Sequence, residues 1–548
     1  MPDMRSKTGD VLDLVLPFWL ARENRFPLLL LLVLVALNLL VVWLYVLFNG
    51  WNRDFFDALQ LRDRDAFWHQ IWVFSLIAAA IIVFSVARQY LLQWLQFRWR
   101  EDMTAKFQNA WLGQSRHYRL QVQGLHADNP DQRIADDTRA FTQASLKLAM
   151  DLLVNGATLV SFIGILWGLS RGTVVPGELV WVAIAYAAVG SVLTYFIGRP
   201  LSPLNYEQER LNADFRFALM RVRDNSQPVA VSQGEGAEGA RLAKRFAAIA
   251  RNWAELIARQ AKLTAFTVFY AQIAAVVPVL AVAPAYLSGE IPLGAIFQTG
   301  NAFAQVYGAL SWFVNSFVAI AEWRAATQRL TDFRKALDEV KPVTPPAVSP
   351  RGIAVTGLSL ALPGGRTLFK GLNAQFDPGS STLITGPSGC GKSTLFSALG
   401  GLWPIAEGGI AVPEGQTLLF LPQKPYMPLG TLAEAAVYPK VSGGAVAEAV
   451  EAVGLPRLVP HLDKVDDWAR ILSLGEQQRL AFARALVAKP DWLFLDEATS
   501  SLDEEAEQAM YRLMRARFPE ITIISIGHRN TLPALHERVI TLKPAAAD

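Results

Sequence analysis

STLITGPSGCGKSTLF, residues 381–396, decides how the C-terminal third of this chain is built. An apolar run of strand character leads into GxxxxGKST, Gly386 to Thr394, and a helix-compatible run follows. A strand–loop–helix setting makes this pattern a phosphate cradle, because a glycine-rich turn aims backbone N–H groups and a helix N-terminus at the anion. The candidate cradle is Gly386, Pro387, Ser388, Gly389, Cys390, Gly391, Lys392, Ser393 and Thr394. Lys392 is expected to reach the β- and γ-phosphates, and the Ser393 hydroxyl to hold Mg²⁺. Cys390 is the chain's single cysteine. It reads first as a small filler, and second as a thiol that a helix N-terminus makes open to alkylation.

Three further stretches extend the site. DWLFLDEATSSLD (491–503) is an apolar strand that ends in two carboxylates. A carboxylate at the end of a buried strand is costly without a cation, so Asp496 is the expected Mg²⁺ partner. Glu497 is the candidate base for an attacking water. ITIISIGHRN (521–530) is a second buried strand with His528 at its tip, within reach of a γ-phosphate. In ILSLGEQQRL (471–480), Ser473, Gly475 and Gln477 are candidate nucleotide contacts at the start of a helix. Leu474 stands where the first of two adjacent glycines would be; its N–H serves as well as a glycine's if its φ is negative and its side chain points away.

The N-terminal part has a different texture. The chain is 548 residues long, 52% hydrophobic and 18% charged, with a mean hydropathy of +0.25. That is too apolar for an ordinary soluble protein and too long for one core. A net charge of +3 gives no reason to expect a nucleic-acid partner, and one cysteine excludes an intrachain disulfide framework. No secretory leader with a cleavage site precedes the first long apolar run, which is therefore expected to stay as an anchor. A spanning helix needs about 20 apolar residues, and six stretches qualify: about 26–48, 71–95, 148–169, 178–198, 266–287 and 291–320. Lysines and arginines crowd the segments after the second span (Arg98 to Arg139) and after the fourth (Arg199 to Arg245), and are scarce between spans three and four and between five and six. The charge bias predicts that both termini and both long basic loops are cytoplasmic. Residues 49–65 are expected to form a short amphipathic surface helix outside. Arg88 and Asp151 read as snorkelling side chains near span ends, with an ion pair as the alternative.

The last span carries Gln298, Asn301, Gln305, Gly308, Trp312 and Asn315 at alternating spacings of three and four, one face of a helix. Interhelical hydrogen bonding would explain that face; a water-filled solute path is the reading preferred here. A proline- and valine-rich stretch, 340–352, separates this half from the phosphate-binding half.

Gly386–Thr394, Gln423 in FLPQKPYM, LSLGEQQR (472–479), LDEATSSLD (495–503) and His528 together resemble the ATP-binding domain of ABC transporters in order and spacing. With six preceding spans, the likeness covers nearly the whole chain. It implies an all-α, six-span membrane domain of the type I ABC exporter kind over 1–340, a linker over 341–352, and an α/β P-loop ATPase over 353–548. WNRDFFDALQ (51–60), DNPDQRIADD (128–137), GGLWP (400–404) and LSLGEQQRLAFAR (472–484) resemble one branch more closely. It comprises SbmA/BacA-like bacterial transporters with a fused ATPase and the peroxisomal fatty-acyl transporters. The resemblance implies ATP and Mg²⁺ as cofactors and a homodimer with two composite sites in the bacterial inner membrane. It makes Gln423 a sensor of Mg²⁺ and water that relays to the membrane domain, and it puts Asp503 at the dimer interface. It places elements that dock on the ATPase in 118–135 and about 203–220. Its transported solute would be a peptide, cobalamin or another hydrophilic compound, or else a fatty-acyl compound or drug. Relatives carry an adenine-stacking aromatic where Leu362 stands here. A non-transport ATPase and an ATP-gated channel are the competing classes; the six spans weigh against the first, and an intact Glu497 and His528 against the second.

Overall fold

The computed structural model describes residues 4–545 except 126–128, 171–176, 342, 344–345, 363–364, 404–405 and 441–444; for 4–8, 313–315 and 406 it describes the backbone alone. Contacts divide the chain into two units, Met1–Phe107 with Asn129–Asp332, and Gln108–Asp128 with Phe333–Asp548.

The first unit is helical. A short helix, α1 (Met4–Trp19), precedes α2 (Arg25–Gln60) and α3 (Arg64–Leu112). Beyond α4 (Arg116–Val122), which belongs to the second unit, follow α5 (Thr138–Leu169), α6 (Glu178–Gly198), α7 (Leu201–Asp224), α8 (Ser226–Val231), α9 (Glu235–Leu287), α10 (Leu293–Asn315) and α11 (Phe317–Glu339). Among the described residues, six helical stretches are long and apolar enough to cross a membrane; five expected spans fall within them, and the sixth, about 291–320, starts two residues before its stretch at Leu293. Many run far beyond the ~20 residues that a bilayer requires, so helix continues past the apolar segment into polar sequence.

Residues 49–65 differ from expectation. They form no separate surface helix: α2 continues unbroken to Gln60. Aromatic contacts hold this extension. Trp51 stacks on Phe48 and Phe55 and donates its Nε1–H to the Gln70 carbonyl at 2.8 Å. On its other side, Phe56 lies flat on Phe297, with ring centroids 3.6 Å apart. The first N–H groups of a helix lack partners of their own. At the start of α10 they are capped from α2: Gln60 Oε1 accepts from Leu293 N at 2.6 Å, and Asp57 Oδ1 from Gly294 N at 2.8 Å. The WNRDFFDALQ stretch is thus a clasp between spans one, two and six.

Two other sequence features find partners. Arg88 donates to Asn38 Oδ1 at 3.3 Å on the neighbouring helix. Asp137, from the 128–137 motif, is buried and accepts from Arg133 at 2.7 Å and from Arg329 at 2.6 and 2.9 Å, tying the start of α5 to α11. Asp128 of that motif lies outside the described residues.

In the second unit, the strands are β1 (Ala347–Ser349), β2 (Ile353–Ala361), β3 (Thr367–Phe376), β4 (Ser381–Thr385), β5 (Ala406–Pro413), β6 (Leu418–Leu421), β7 (Gly430–Thr431), β8 (Val465–Asp466), β9 (Trp492–Asp496), β10 (Thr522–Ile526) and β11 (Arg538–Thr541). A mixed sheet of order β1-β5-β2-β3 accompanies an all-parallel sheet of order β11-β4-β10-β9-β6. Alternate residues of the parallel strands enter two cores. Leu493, Leu495 and Ile523 face the helices, while Trp492, Phe494 and Ile524 face the other sheet. Burial on both faces explains why these strands read as continuous apolar runs. The principal helices are α12 (Lys392–Leu399), α13 (Leu474–Ala488) and α14 (Glu504–Arg517).

The α4 segment belongs with this unit. Val122 packs against the core between the sheets, Tyr118 Oη lies 3.4 Å from Ser397 Oγ, and Arg119 and Gln123 donate to the Lys341 carbonyl. Part of the expected docking segment 118–135 is therefore at the ATPase; residues 203–220 lie on α7 in the helical unit.

Candidate functional site

Strand β4 delivers the phosphate loop and α12 leaves it, as the motif requires. Gly386 has φ 148°, and a Cβ there would lie 2.6 Å from the Leu542 carbonyl oxygen, so no other residue fits. Lys392 opens α12, is buried, and donates its Nζ to the carbonyls of Gly386 and Pro387 at 2.9 and 3.0 Å. The ammonium is thereby held within the loop. Cys390 faces the other way: it is 2% exposed and packs in the core with Ile384, Leu395 and Leu542. Its role is to fill the space beneath the loop, shielded from alkylating reagents.

The carboxyl ends of parallel strands converge on the same place, the usual ligand position in α/β sheets. Asp496 closes β9; its carboxyl is pushed above the ordinary value by burial, while a hydrogen bond from Ser393 and the charge of Lys392 pull it down. Glu497 follows in the left-handed region at φ 50°, its N–H donating to the Ile526 carbonyl at 3.0 Å. Such a backbone is strained for a glutamate and persists where its surroundings fix it. Both Glu497 oxygens are engaged. Gln423 donates its Nε2–H to Oε2 at 3.0 Å, and His528 Nε2 lies 3.2 Å from Oε1. Four residues singled out from three stretches of sequence, Gln423, Asp496, Glu497 and His528, thus join Ser393 and Lys392 in one cluster.

This donor set fits a nucleotide with Mg²⁺. Asp496 and Ser393 are a carboxylate and a hydroxyl in contact at the loop's end, and Asp496 is half-buried with Lys392 as its nearby positive charge. Gln423, donating through nitrogen, keeps its Oε1 as a cation ligand. Lys392 and the amides of the loop supply the positive field for the phosphates. Leu362, the expected counterpart of an adenine-stacking aromatic, packs partly buried against the core beneath the loop.

At α13, Ser473 is the N-cap in a capping box. Its Oγ accepts from Glu476 N at 3.4 Å and donates to Glu476 Oε2 at 2.9 Å, and Ser473 N donates to the same oxygen. Arg457 pairs with Glu476 from outside. Leu474 is the first helical residue, has the negative φ of a helix and is 39% exposed. Gly475 is the constrained position, since a Cβ there would stand 3.0 Å from the Ser501 carbonyl oxygen. The two positions are therefore unequal: the chain needs glycine at 475 and tolerates leucine at 474. Gln477 does not reach outward. It is buried, and its Nε2 donates to the carbonyls of Ala469 and Leu472, both at 2.9 Å. Asp503 is exposed and caps α14, accepting from Ala506 N at 2.7 Å.

Sequence reasoning passed over Gln478 and Glu507. Gln478 is completely buried among the loops of the cluster. Glu507, equally buried, accepts from Thr499 and Thr531, both at 2.5 Å, and so links the loops that follow Glu497 and His528. Polar residues on a helix usually signal a solvated face; only their burial reveals a role.

On the sixth span, Gln298 is buried, Asn301, Gln305 and Trp312 are half-buried, and Gly308 is open to its surroundings. The Gln298 backbone carbonyl accepts from Asn49 Nδ2 at 3.0 Å. Gln298 Oε1, Asn49 Oδ1 and Trp312 Nε1 are buried without a hydrogen-bond partner among the described residues. The Asn315 side chain lies outside the described residues.

Comparison with known proteins agrees with both units. The family model described as ABC transporter transmembrane region 2 matches residues 14–287, and the one described as ABC transporter matches 369–500. The inner membrane ABC transporter ATP-binding protein YddA of Escherichia coli is 32% identical over 96% of this chain and 96% of its own. The human lysosomal cobalamin transporter ABCD4 is 28% identical over 97% of this chain and 93% of its own. A bacterial Atm1-family ABC exporter with ATP bound superposes with a TM-score of 0.74 at 20% identity, covering 94% of this chain and 93% of that one.

Proposed function

Because the chain belongs to the ABC transporter family, with its transmembrane and ATP-binding regions in one polypeptide, we propose that it imports a hydrophilic solute across the bacterial inner membrane as a homodimer. ABC ATPase domains bind ATP with Mg²⁺ and couple its hydrolysis to transport. In the proposed cycle, each protomer holds one ATP at its phosphate loop, and the helix starting at Ser473 closes on the nucleotide of the other. Closure reorients the membrane cavity, and hydrolysis resets it. Both termini and the ATPase lie in the cytoplasm, a reading supported by the Lys/Arg bias of the long loops.

The observation that carries the reading is the grip on Glu497, with Gln423 at 3.0 Å on one oxygen and His528 at 3.2 Å on the other. A carboxylate so aimed, beside a metal-binding aspartate, is arranged to orient and deprotonate water. An ATP-gated channel has no need of it. Glu497→Gln should slow hydrolysis by ~10²–10⁴-fold, the range for a lost general base, with ATP still bound; near-normal turnover refutes the assignment.

Two observations support a hydrophilic cargo: the orphaned polar atoms on span six and the cobalamin named for one relative. ATP-dependent accumulation in oriented vesicles, with labelled peptide, cobalamin and acyl-CoA side by side, decides it. Accumulation of peptide or cobalamin in the inward direction is the expected result; transport of acyl-CoA alone overturns the cargo class, and outward movement the direction.

A further inference from the structure

We propose that Gln478 is a positioning residue for ATP hydrolysis, fixing from α13, whose start carries the LSLGEQQR signature, the backbones of the loops that aim Glu497 and its partner Gln423. The proposal rests on the ATPase reading of Glu497. Gln478 lies one turn into α13 and is 0% exposed. Its Nε2 donates to the Gln423 carbonyl at 2.9 Å and to Ser500 Oγ at 3.1 Å, and its Oε1 accepts from Ser501 N at 2.9 Å. The Glu497 carbonyl lies 3.5 Å from the same nitrogen.

These partners belong to two loops far apart in sequence. One carries Gln423, whose side chain holds Glu497 Oε2. The other runs from Glu497 itself, at its left-handed backbone, to Asp503. Arg529 holds this second loop from the opposite side by donating to the Ser500 carbonyl at 2.7 Å. Gly475, three residues before Gln478, lies close to the same loop, where an added Cβ would stand 3.0 Å from the Ser501 carbonyl oxygen. The start of α13 and the base therefore share a rigid frame, with Gln478 at its centre. A displacement of the signature helix is passed by Gln478 to the Gln423 backbone, and hence to the hydrogen bond on the base. Because a buried amide with an unmade bond is costly, the frame has one stable arrangement.

The test compares full-length protein in lipid nanodiscs, measuring kcat, KM for ATP, and thermal unfolding. Gln478→Met keeps length and removes every hydrogen bond. It should lower kcat by roughly 10- to 10²-fold, the scale of an ångström of misplacement at a reacting centre, with KM for ATP unchanged. Tyr511→Phe is the control: it deletes an equally buried bond, to Ser525 at 2.9 Å, outside this frame. It should reduce stability without reducing kcat. Should Gln478→Met fail to fold, the isosteric Gln478→Glu gives the same readout, since its ionised form keeps the acceptor for Ser501 N and loses both donors. Wild-type kcat in the folded variant overturns the proposal, as does a parallel loss of kcat and nucleotide affinity. Glu497→Gln measured alongside separates the two claims: if that variant turns over normally, the reading of the site fails, whatever Gln478 does.

Discussion

Two polar clusters in this protein look alike in sequence and differ in structure. At the ATPase, Gln423, Gln478, Glu497 and His528 bond to one another or to loop backbones. On the sixth span, Gln298 and Trp312 keep buried polar atoms with no partner among the described residues, and Asn49 does likewise beside them. An unmade buried hydrogen bond costs about 1–3 kcal/mol. The first cluster is set in geometry before its ligand arrives, which suits chemistry that depends on alignment. The second leaves its bonds to be made by water, solute or a second subunit, which suits a path that several species occupy in turn.

The contrast can be broken by substitutions. The largest effect is expected for Asp496→Asn. Losing the metal's carboxylate should cost roughly 10²-fold or more in Mg²⁺-dependent hydrolysis, since the cation supplies several kcal/mol of charge stabilisation. The same variant should stabilise the nucleotide-free domain. Burial raises the Asp496 pKa, so the unfolded chain loses this proton at lower pH than the native one. Stability is thus lost as pH rises from the ordinary aspartate value through the raised one. Asparagine removes that loss, and unfolding measured between pH 3 and 7 without Mg²⁺ should show it; an unchanged pH profile counts against the buried charge.

Gln298→Met comes next. It removes an orphaned oxygen, and should raise stability in lipid by about 1 kcal/mol while weakening solute-stimulated ATPase activity. Lower stability would mean that Gln298 already has a partner. A gentler test concerns His536, whose pKa is lowered by burial while its hydrogen bond to the Leu532 carbonyl opposes that shift. Here the unfolded chain takes up the proton first, so stability is lost as pH falls from the ordinary histidine value through the lowered one. His536→Gln should flatten that slope in a melting series from pH 7 to 5. The smallest effect belongs to Leu474→Gly, which should change stability by no more than about 1 kcal/mol, the helix cost of glycine, and leave hydrolysis intact. Gly475→Ala should impair hydrolysis through its collision with Ser501.

Much of the cluster around Glu497 was legible because phosphate-binding chemistry leaves short, local signatures. A phosphate loop needs glycine, lysine and serine at fixed spacing, and an apolar strand ending in a carboxylate is conspicuous. The six spans were legible from length and composition, because a bilayer imposes both. The extension of α2 to Gln60 was not, since its support comes from Gln70, Phe297 and the start of α10. Gln477 and Gln478 show the limit most clearly. They are identical neighbours in sequence, yet one ties its own helix start to the preceding turn and the other holds the catalytic loops.

The sequence by itself determined the family and the order of six apolar helices followed by an α/β ATPase domain, because each is written in contiguous residues or in bulk hydropathy. Tertiary structure alone decided which glutamine serves the active site, why glycine is needed at 475 and not at 474, what Arg88 and Asp57 bind, and which polar atoms of the last span stay unpaired. Those properties depend on what lies across a fold from each side chain, and helical periodicity specifies a direction without specifying the neighbour that meets it.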